Sequence, residues 1–321
     1  MSVLIVTNKR DPHADEVLRI VESKGIDVFR FNTEDFCKTV SINLTSSNQD
    51  FAFELRTPRR SLRSADIRSI LYRRPEKAEA EGSIDDDSRR FVEAERAACL
   101  SWLWRALDCF WVSRPDRIRV AESKFDQLRI APRFGFSVPR TLVTNDPDEA
   151  RKFCIEFQDG VINKVLSTGI VHRDGGLKAI YTRPVLPEHL PNLESIRCVP
   201  CVFQEYIPKA LELRISIVGH QVFAAAIYSQ MTERTKHDWR RYDLEKTPHA
   251  VYILPAGVER ACIDIVQHYG LAFAAIDMVV TPQGDFVFLE LNPNGQWLWI
   301  ERLTGQPISD AIADMLVRAA A

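Results

Sequence analysis

Two apolar runs flank the turn-forming quartet Pro282-Gln-Gly-Asp285: Phe273-Ala-Ala-Ile-Asp-Met-Val-Val-Thr281 before it and Phe286-Val-Phe-Leu-Glu-Leu-Asn292 after it. Each has the length and side chains of a strand, and the quartet supplies turn chemistry, so the pattern predicts a hairpin. With Thr281 paired to Phe286, Asp277 lies directly opposite Glu290, and Asn292 falls on the same face two residues on. Like charges opposed on a sheet destabilise it, and apolar neighbours worsen the repulsion by desolvation. A cation must therefore offset the pair. Magnesium suits a set that offers only oxygen donors; a lysine or arginine in a structural ion pair is the other reading.

At 321 residues the chain holds two or three compact units. Residues 3–7, 14–24 and 27–31 read as strand, helix and strand, a βαβ opening. Strands at 40–44, 51–55 and 69–73 follow. Asp85-Asp-Asp-Ser88 then opens a long helix whose core-facing stripe is expected to include Phe91, Ala98, Trp102, Leu103 and Ala106. A charged helix from 116 to about 133 ends before Gly135. Strands at 161–165 and 177–182 flank a polar, glycine-bearing stretch at 167–176. Beyond Pro200 come strands at 202–207, 211–218 and 222–229, a helix at 257–269, the hairpin, and a final helix at 308–319. The expected organisation is an α/β chain with α+β lobes, divided as 1–114, 115–202 and 203–321.

Lysine and arginine number 42 against 44 acidic residues, a net charge of −2. That leaves no broad basic field for nucleic acid. No window approaches the ~20 apolar residues of a membrane span. Seven cysteines without a secretory leader fit reduced thiols in the cytoplasm, with Cys198-Val-Pro-Cys201 read as core rather than as a metal or redox pair. His172 and His237 lack metal-ligand spacing, and no Ser/His/Asp arrangement suggests a hydrolase. Arg73-Arg-Pro75 ends a strand, so successive side chains point to opposite faces, for substrate contact in a cleft or for a plain salt bridge. Trp239, Trp297 and Trp299 lie near the proposed site in sequence, for a peptide groove or for packing.

Glu290-Leu-Asn-Pro-Asn-Gly295, with Asp277 upstream, resembles the metal-binding end of the ATP-grasp superfamily. The remaining parts occur in that superfamily's order: Lys124 in a helix, Lys164 ending a strand, Gln204-Glu-Tyr-Ile207, then Glu212-Leu-Arg214. The nearer resemblance, from the opening Val3-Leu-Ile-Val-Thr7 to Phe203–Gly219, Asp238-Trp-Arg240 and Ala275-Ile-Asp-Met278, is to the microviridin-type peptide ligases, or graspetide synthetases. It runs nearly end to end.

The resemblance implies an ATP-grasp fold with an N-terminal βα pre-ATP-grasp domain, using ATP and Mg²⁺. By position, Lys124 and Lys164 contact phosphates, Gln204, Glu205, Tyr206 and Ile207 meet the adenine, and Glu212 holds the ribose. Asp277, Glu290 and Asn292 hold the metal, and Arg214 and Arg240 neutralise charge at the transferring phosphoryl. It further implies a cytoplasmic homodimer acting on a ribosomal precursor peptide with a leader segment, joining Asp/Glu side chains to Thr/Ser or Lys. A small-molecule ligase of the same fold and a non-catalytic nucleotide-binding module are the alternatives at this point.

Overall fold

The structure is a computed structural model; it describes all residues except 49–50, 81, 83, 158, 168, 174–175, 232–246 and 321. The N-terminal part runs β1 (Ser2–Thr7), α1 (Pro12–Ser23), β2 (Asp27–Asn32), β3 (Ser41–Ser46), β4 (Phe51–Arg56), β5 (Ser61–Arg63), β6 (Ile67–Tyr72), α2 (Asp86–Ala106) and β7 (Phe110–Val112). Strands β2, β1, β6 and β7 form a parallel sheet in that order, while β3–β5 make a separate antiparallel sheet. Because β1 is buried on both faces, its continuous apolar run needs cover on each side. One side is covered by α2 and the β3–β5 sheet. On the other side lie α1 and the last helix of the chain, α8.

The middle of the chain contributes α3 (Pro115–Ala121), α4 (Lys124–Ile130), β8 (Thr141–Thr144), α5 (Pro147–Glu156), β9 (Val161–Lys164), β10 (Ile170–Arg173), β11 (Gly176–Ala179), β12 (Arg183–Pro184) and β13 (Cys201–Glu205). Strands β12-β9-β13-β8 form a small antiparallel sheet backed by α5 and a 3-10 segment, Pro187–Cys198. The last part adds β14 (Leu211–Val218), β15 (Gln221–Ile227), β16 (His249–Val251), α6 (Ala256–His268), β17 (Phe273–Val280), β18 (Phe286–Asn292), α7 (Leu298–Thr304) and α8 (Ile308–Ala320). Its antiparallel sheet has the order β16-β15-β14-β17-β18.

Several expectations are corrected. The charged helix after 116 is two short helices and a 3-10 turn, closed by Gly135 at φ +87°. Its apolar side (Ile118, Ala121, Ala131) packs with the β14–β17 sheet rather than with the small lobe, so packing crosses the expected division at 202. In α2 the buried side chains are Leu103 and Trp104, whereas Phe91 and Trp102 are exposed. Cys198 is likewise exposed, not core. The hairpin begins one residue earlier than expected: Val280, not Thr281, pairs with Phe286. A bulge then shifts the register, Met278 facing Phe288 and Asp277 facing Glu290, which restores the expected opposition of the carboxylates.

Candidate active site

Between the small sheet and the C-terminal sheet lies a cleft of about 370 Å³. Nine residues singled out from sequence line it: Lys124, Lys164, Gln204, Glu205, Tyr206, Ile207, Glu212, Asp277 and Glu290. Lys164 ends β9, Gln204 and Glu205 end β13, Glu212 sits on β14, and Asp277 and Glu290 face each other on β17 and β18. A second cavity of about 830 Å³ opens from the first, sharing Lys124, Ser167, Asp277 and Glu290 and adding Arg214 and Asn292. Arg240, Trp239 and His237 lie outside the described residues.

The paired carboxylates are offset by protein cations. Arg214, facing Asp277 across β14 and β17, places Nη1 2.9 and 3.0 Å from its two carboxylate oxygens, and Nη2 donates to the Gln296 carbonyl at 2.9 Å. Lys124 Nζ lies 2.8 Å from Glu290 Oε2. Asn292 Nδ2 donates to both acids, at 3.2 Å to Asp277 and 3.3 Å to Glu290. These three side chains also offer the hard oxygen donors that Mg²⁺ takes. Among the described residues no group of three or more His, Cys, Asp or Glu is placed to hold a metal ion, and the three side chains here are two acids and an amide. Such a set fits a magnesium ion completed by water and phosphate oxygens, with the Asn292 amide turned to present Oδ1.

Position on α4 comes from a side chain that sequence reasoning missed. Gln127, one helical turn after Lys124, donates Nε2 to the Leu291 carbonyl (2.7 Å) and accepts the Leu291 N–H on Oε1 (2.8 Å). Its amide thus stands in for a neighbouring strand beside β18 and fixes Lys124 next to Glu290. Lys209 was also missed. It is buried and lies 2.8 Å from Glu212 Oε1, which accepts from Ser229 Oγ at 2.7 Å. The signal available was a lysine three residues before an acid at a strand entry. Gln204 Nε2 donates to Thr141 Oγ1, and Glu205 accepts from the Arg140 N–H. Burial, with the Glu212 charge adding to it, raises the Tyr206 phenol above its ordinary range.

The sequence profile of the MvdD pre-ATP grasp domain matches residues 2–119. Among solved structures, the macrocyclase MdnC of Microcystis aeruginosa MRC, bound with precursor peptide MdnA, is 33% identical with a TM-score of 0.89, over 99% of this chain and 100% of that one. The chain belongs to this family of RiPP-associated ATP-grasp ligases. A ligase of that description from Chryseobacterium gregarium, in complex with ADP and a leader and core peptide, is 30% identical over 100% of this chain and 98% of that one, with a TM-score of 0.92. Macrocyclase MdnB from the same Microcystis aligns at 33% identity and 0.82, over 98% of this chain and 99% of that one. No curated protein matches by sequence.

In this ATP-grasp ligase the N-terminal domain reaches the loop after β18 through Arg73. Its guanidinium is buried, pairs with Asp11 at 3.1 Å, stacks over Trp297 at 4.4 Å and donates to the carbonyls of Asn294 (3.3 Å) and Gly295 (3.1 Å). Burial lowers its pKa to about 10. Arg73 is thus turned inward as a support for the loop that follows Asn292. Arg74 lines the second cavity, its backbone past the end of β6 in the left-handed region at φ +43° rather than in the extended geometry that strand alternation assumes. Trp297 is core, whereas Trp299 lines the cavity. Close packing demands glycine at 295: a Cβ there would fall 2.3 Å from Ala275 Cβ and 2.9 Å from Arg214 Nη2.

Proposed function

We propose that this ligase activates Asp or Glu side chains of a ribosomal precursor peptide as acylphosphates and closes them onto Thr/Ser hydroxyls or Lys amines of the same peptide. The observation that carries this reading is the sharing of Asp277 and Glu290 between a nucleotide-sized cleft and a larger open cavity that can admit a peptide segment.

ATP enters the smaller cleft as substrate, with Lys124 and Lys164 at the phosphates, residues 204–207 along the adenine and Glu212 accepting from the ribose hydroxyls. A carboxylate oxygen of the peptide attacks the γ-phosphorus, and the bond to the β-phosphate oxygen breaks, releasing ADP. Mg²⁺ held by Asp277, Glu290 and Asn292 neutralises phosphate charge when bound. Arg214 keeps a buried Nε with no acceptor among the described residues, a donor left over for developing negative charge; Arg240 is assigned the same work. The hydroxyl or amine then attacks the acyl carbon, the C–O bond to phosphate breaks, and phosphate leaves as the nucleophile loses its proton.

A leader segment docked away from the chemistry raises the effective concentration of the core. The β10–β11 hairpin and the 3-10 segment Pro187–Cys198, with Glu188 and Glu194, form the surface we assign to it. The same reading has the protein act as a cytoplasmic homodimer. Exposed Phe91 and Trp102 on α2 are apolar surface for a second copy to cover, and sedimentation velocity on a Trp102→Glu variant checks this. Among the described residues no helix is long and apolar enough to cross a membrane.

The test incubates the enzyme with the precursor from a neighbouring reading frame, ATP and Mg²⁺. Mass spectrometry should record the loss of one water, about 18 Da, per bond formed. No loss from the precursor, with ligation of a free amino acid instead, would replace this reading with a small-substrate ligase.

A further inference from the structure

We propose that the groove running from the phosphate site toward the N-terminal domain is a carboxylate-reading subsite, in which Arg10, Arg74 and Arg302 hold acidic side chains of the peptide that are not themselves reacting. The inference rests on the proposed peptide substrate and names the residues that select it. The groove is a cavity of about 760 Å³ that shares Arg74, Pro75, Gln296 and Trp299 with the 830 Å³ cavity containing Arg214, Asp277 and Glu290. A chain whose reacting carboxylate lies at Arg214 therefore has a continuous path into it.

Its charge is uneven. Arg10 comes from the loop after β1, Arg74 from just past β6 and Arg302 from the last turn of α7, so three distant segments deliver guanidinium groups to one concavity. The lining acids are Asp11 and Glu76. Asp11 is already engaged by Arg73, by Thr7 Oγ1 and by the first N–H groups of α1. Several surface arginines elsewhere pair with acids three residues away, as Arg19 with Glu16, Arg63 with Asp66, Arg129 with Asp126 and Arg197 with Glu194. Arg10 and Arg302 are exposed, and their side chains have no acceptor among the described residues. In a chain of net charge −2, three guanidinium groups gathered on one concavity favour an anion there.

Arg74 stands at the seam between the two cavities. Its backbone is in the left-handed region at φ +43°, strained for a side chain of this size, and Nε donates to the Asn294 carbonyl at 3.3 Å. This conformation turns Arg74 to the groove while its neighbour Arg73 is buried. The guanidinium fork matches a carboxylate in two parallel hydrogen bonds, which suits recognition of Asp and Glu side chains one after another.

The test uses a fluorescent, end-capped peptide of alternating Thr and Glu, its Thr-Gln counterpart, and anisotropy at low ionic strength with ADP and Mg²⁺ present. The Glu peptide should bind at least about tenfold more tightly than the Gln peptide. In an Arg10→Glu/Arg302→Glu variant its affinity should fall at least about tenfold, with the salt dependence flattened, while ADP affinity and Tm are unchanged. Equal binding of the Glu peptide by variant and wild type overturns the inference, as does displacement of the peptide when ADP is raised, which would place it in the nucleotide cleft. Water loss from the precursor separates the two levels. If wild type performs it and the double variant performs it with unchanged KM for precursor, the subsite falls and the ligase reading stands; if wild type fails, the ligase reading falls first.

Discussion

Arg214 and Asp277 face each other on neighbouring strands with one guanidinium nitrogen 2.9 and 3.0 Å from both carboxylate oxygens, and both side chains are buried. The acid that carries the metal-binding assignment is therefore also half of an internal ion pair. Removing it does not simply relieve repulsion from Glu290, because it leaves Arg214 charged and buried.

Asp277→Asn should accordingly lower stability by about 3 kcal/mol, and Asp277→Asn with Arg214→Gln should recover part of that loss. Glu290→Gln weakens the pair with the half-exposed Lys124 and the long hydrogen bond from Asn292, and should cost about 1 kcal/mol. Both single variants should lose ATP turnover. Urea titration alongside a coupled ADP assay separates the effects, and turnover retained in Glu290→Gln sinks the metal assignment.

Nucleotide contacts divide by position in the cleft. Lys164→Ala should weaken ATP more than AMP, whereas Glu212→Ala should weaken both, since its assigned partner is the ribose. Calorimetric titration of each nucleotide decides this; equal losses of ATP and AMP in the Lys164 variant count against a phosphate contact.

Gln127→Leu removes two hydrogen bonds to Leu291 and leaves that backbone pair unsatisfied beside the site. A loss of about 1–3 kcal/mol is expected. ATP affinity should fall with it, whereas Gln127→Glu, which keeps one acceptor, should restore the Leu291 N–H bond and part of the stability.

Gly295→Ala should displace the loop that Arg73 and Arg214 hold, because the new methyl collides with Ala275. Overpacking of this kind costs about 1–3 kcal/mol. The expected readout is a lower Tm together with reduced turnover at unchanged ADP affinity.

His13 is buried at the domain junction, its ring 4.6 Å from Trp297, and burial, then the nearby Arg73 charge, lower its pKa to about 3. The unfolded chain takes up a proton near pH 6.5 that the folded protein refuses. Its contribution to stability is thus complete above about pH 6.5 and lost as the pH falls toward 3, at up to about 1.4 kcal/mol per pH unit. Urea midpoints between pH 7 and 4 should fall less steeply in His13→Gln than in wild type.

Part of the site was legible because its signals are local. Alternation and turn chemistry placed Asp277 opposite Glu290, and the opposition holds even though the hairpin starts one residue earlier, at Val280, and a bulge makes up the difference. The order Lys124, Lys164, Gln204–Ile207, Glu212, Arg214 named residues that line the two cavities through its resemblance to the ATP-grasp superfamily, which local pattern alone does not supply. What only the tertiary structure decided is which strand lies beside which and which helix face is covered. No periodicity says that β14 is laid against β17, so the sequence leaves open whether Arg214 meets phosphate or pairs with a strand neighbour, and only the fold puts Asp277 opposite it. Nor does periodicity say that Gln127 takes a strand's place at Leu291 or that Arg73 is buried under the Asn294 loop. An amphipathic stripe predicts burial only when something packs on it, which is why Phe91 and Trp102 are exposed while Leu103 and Trp104, on the turn that meets the N-terminal sheet, are buried.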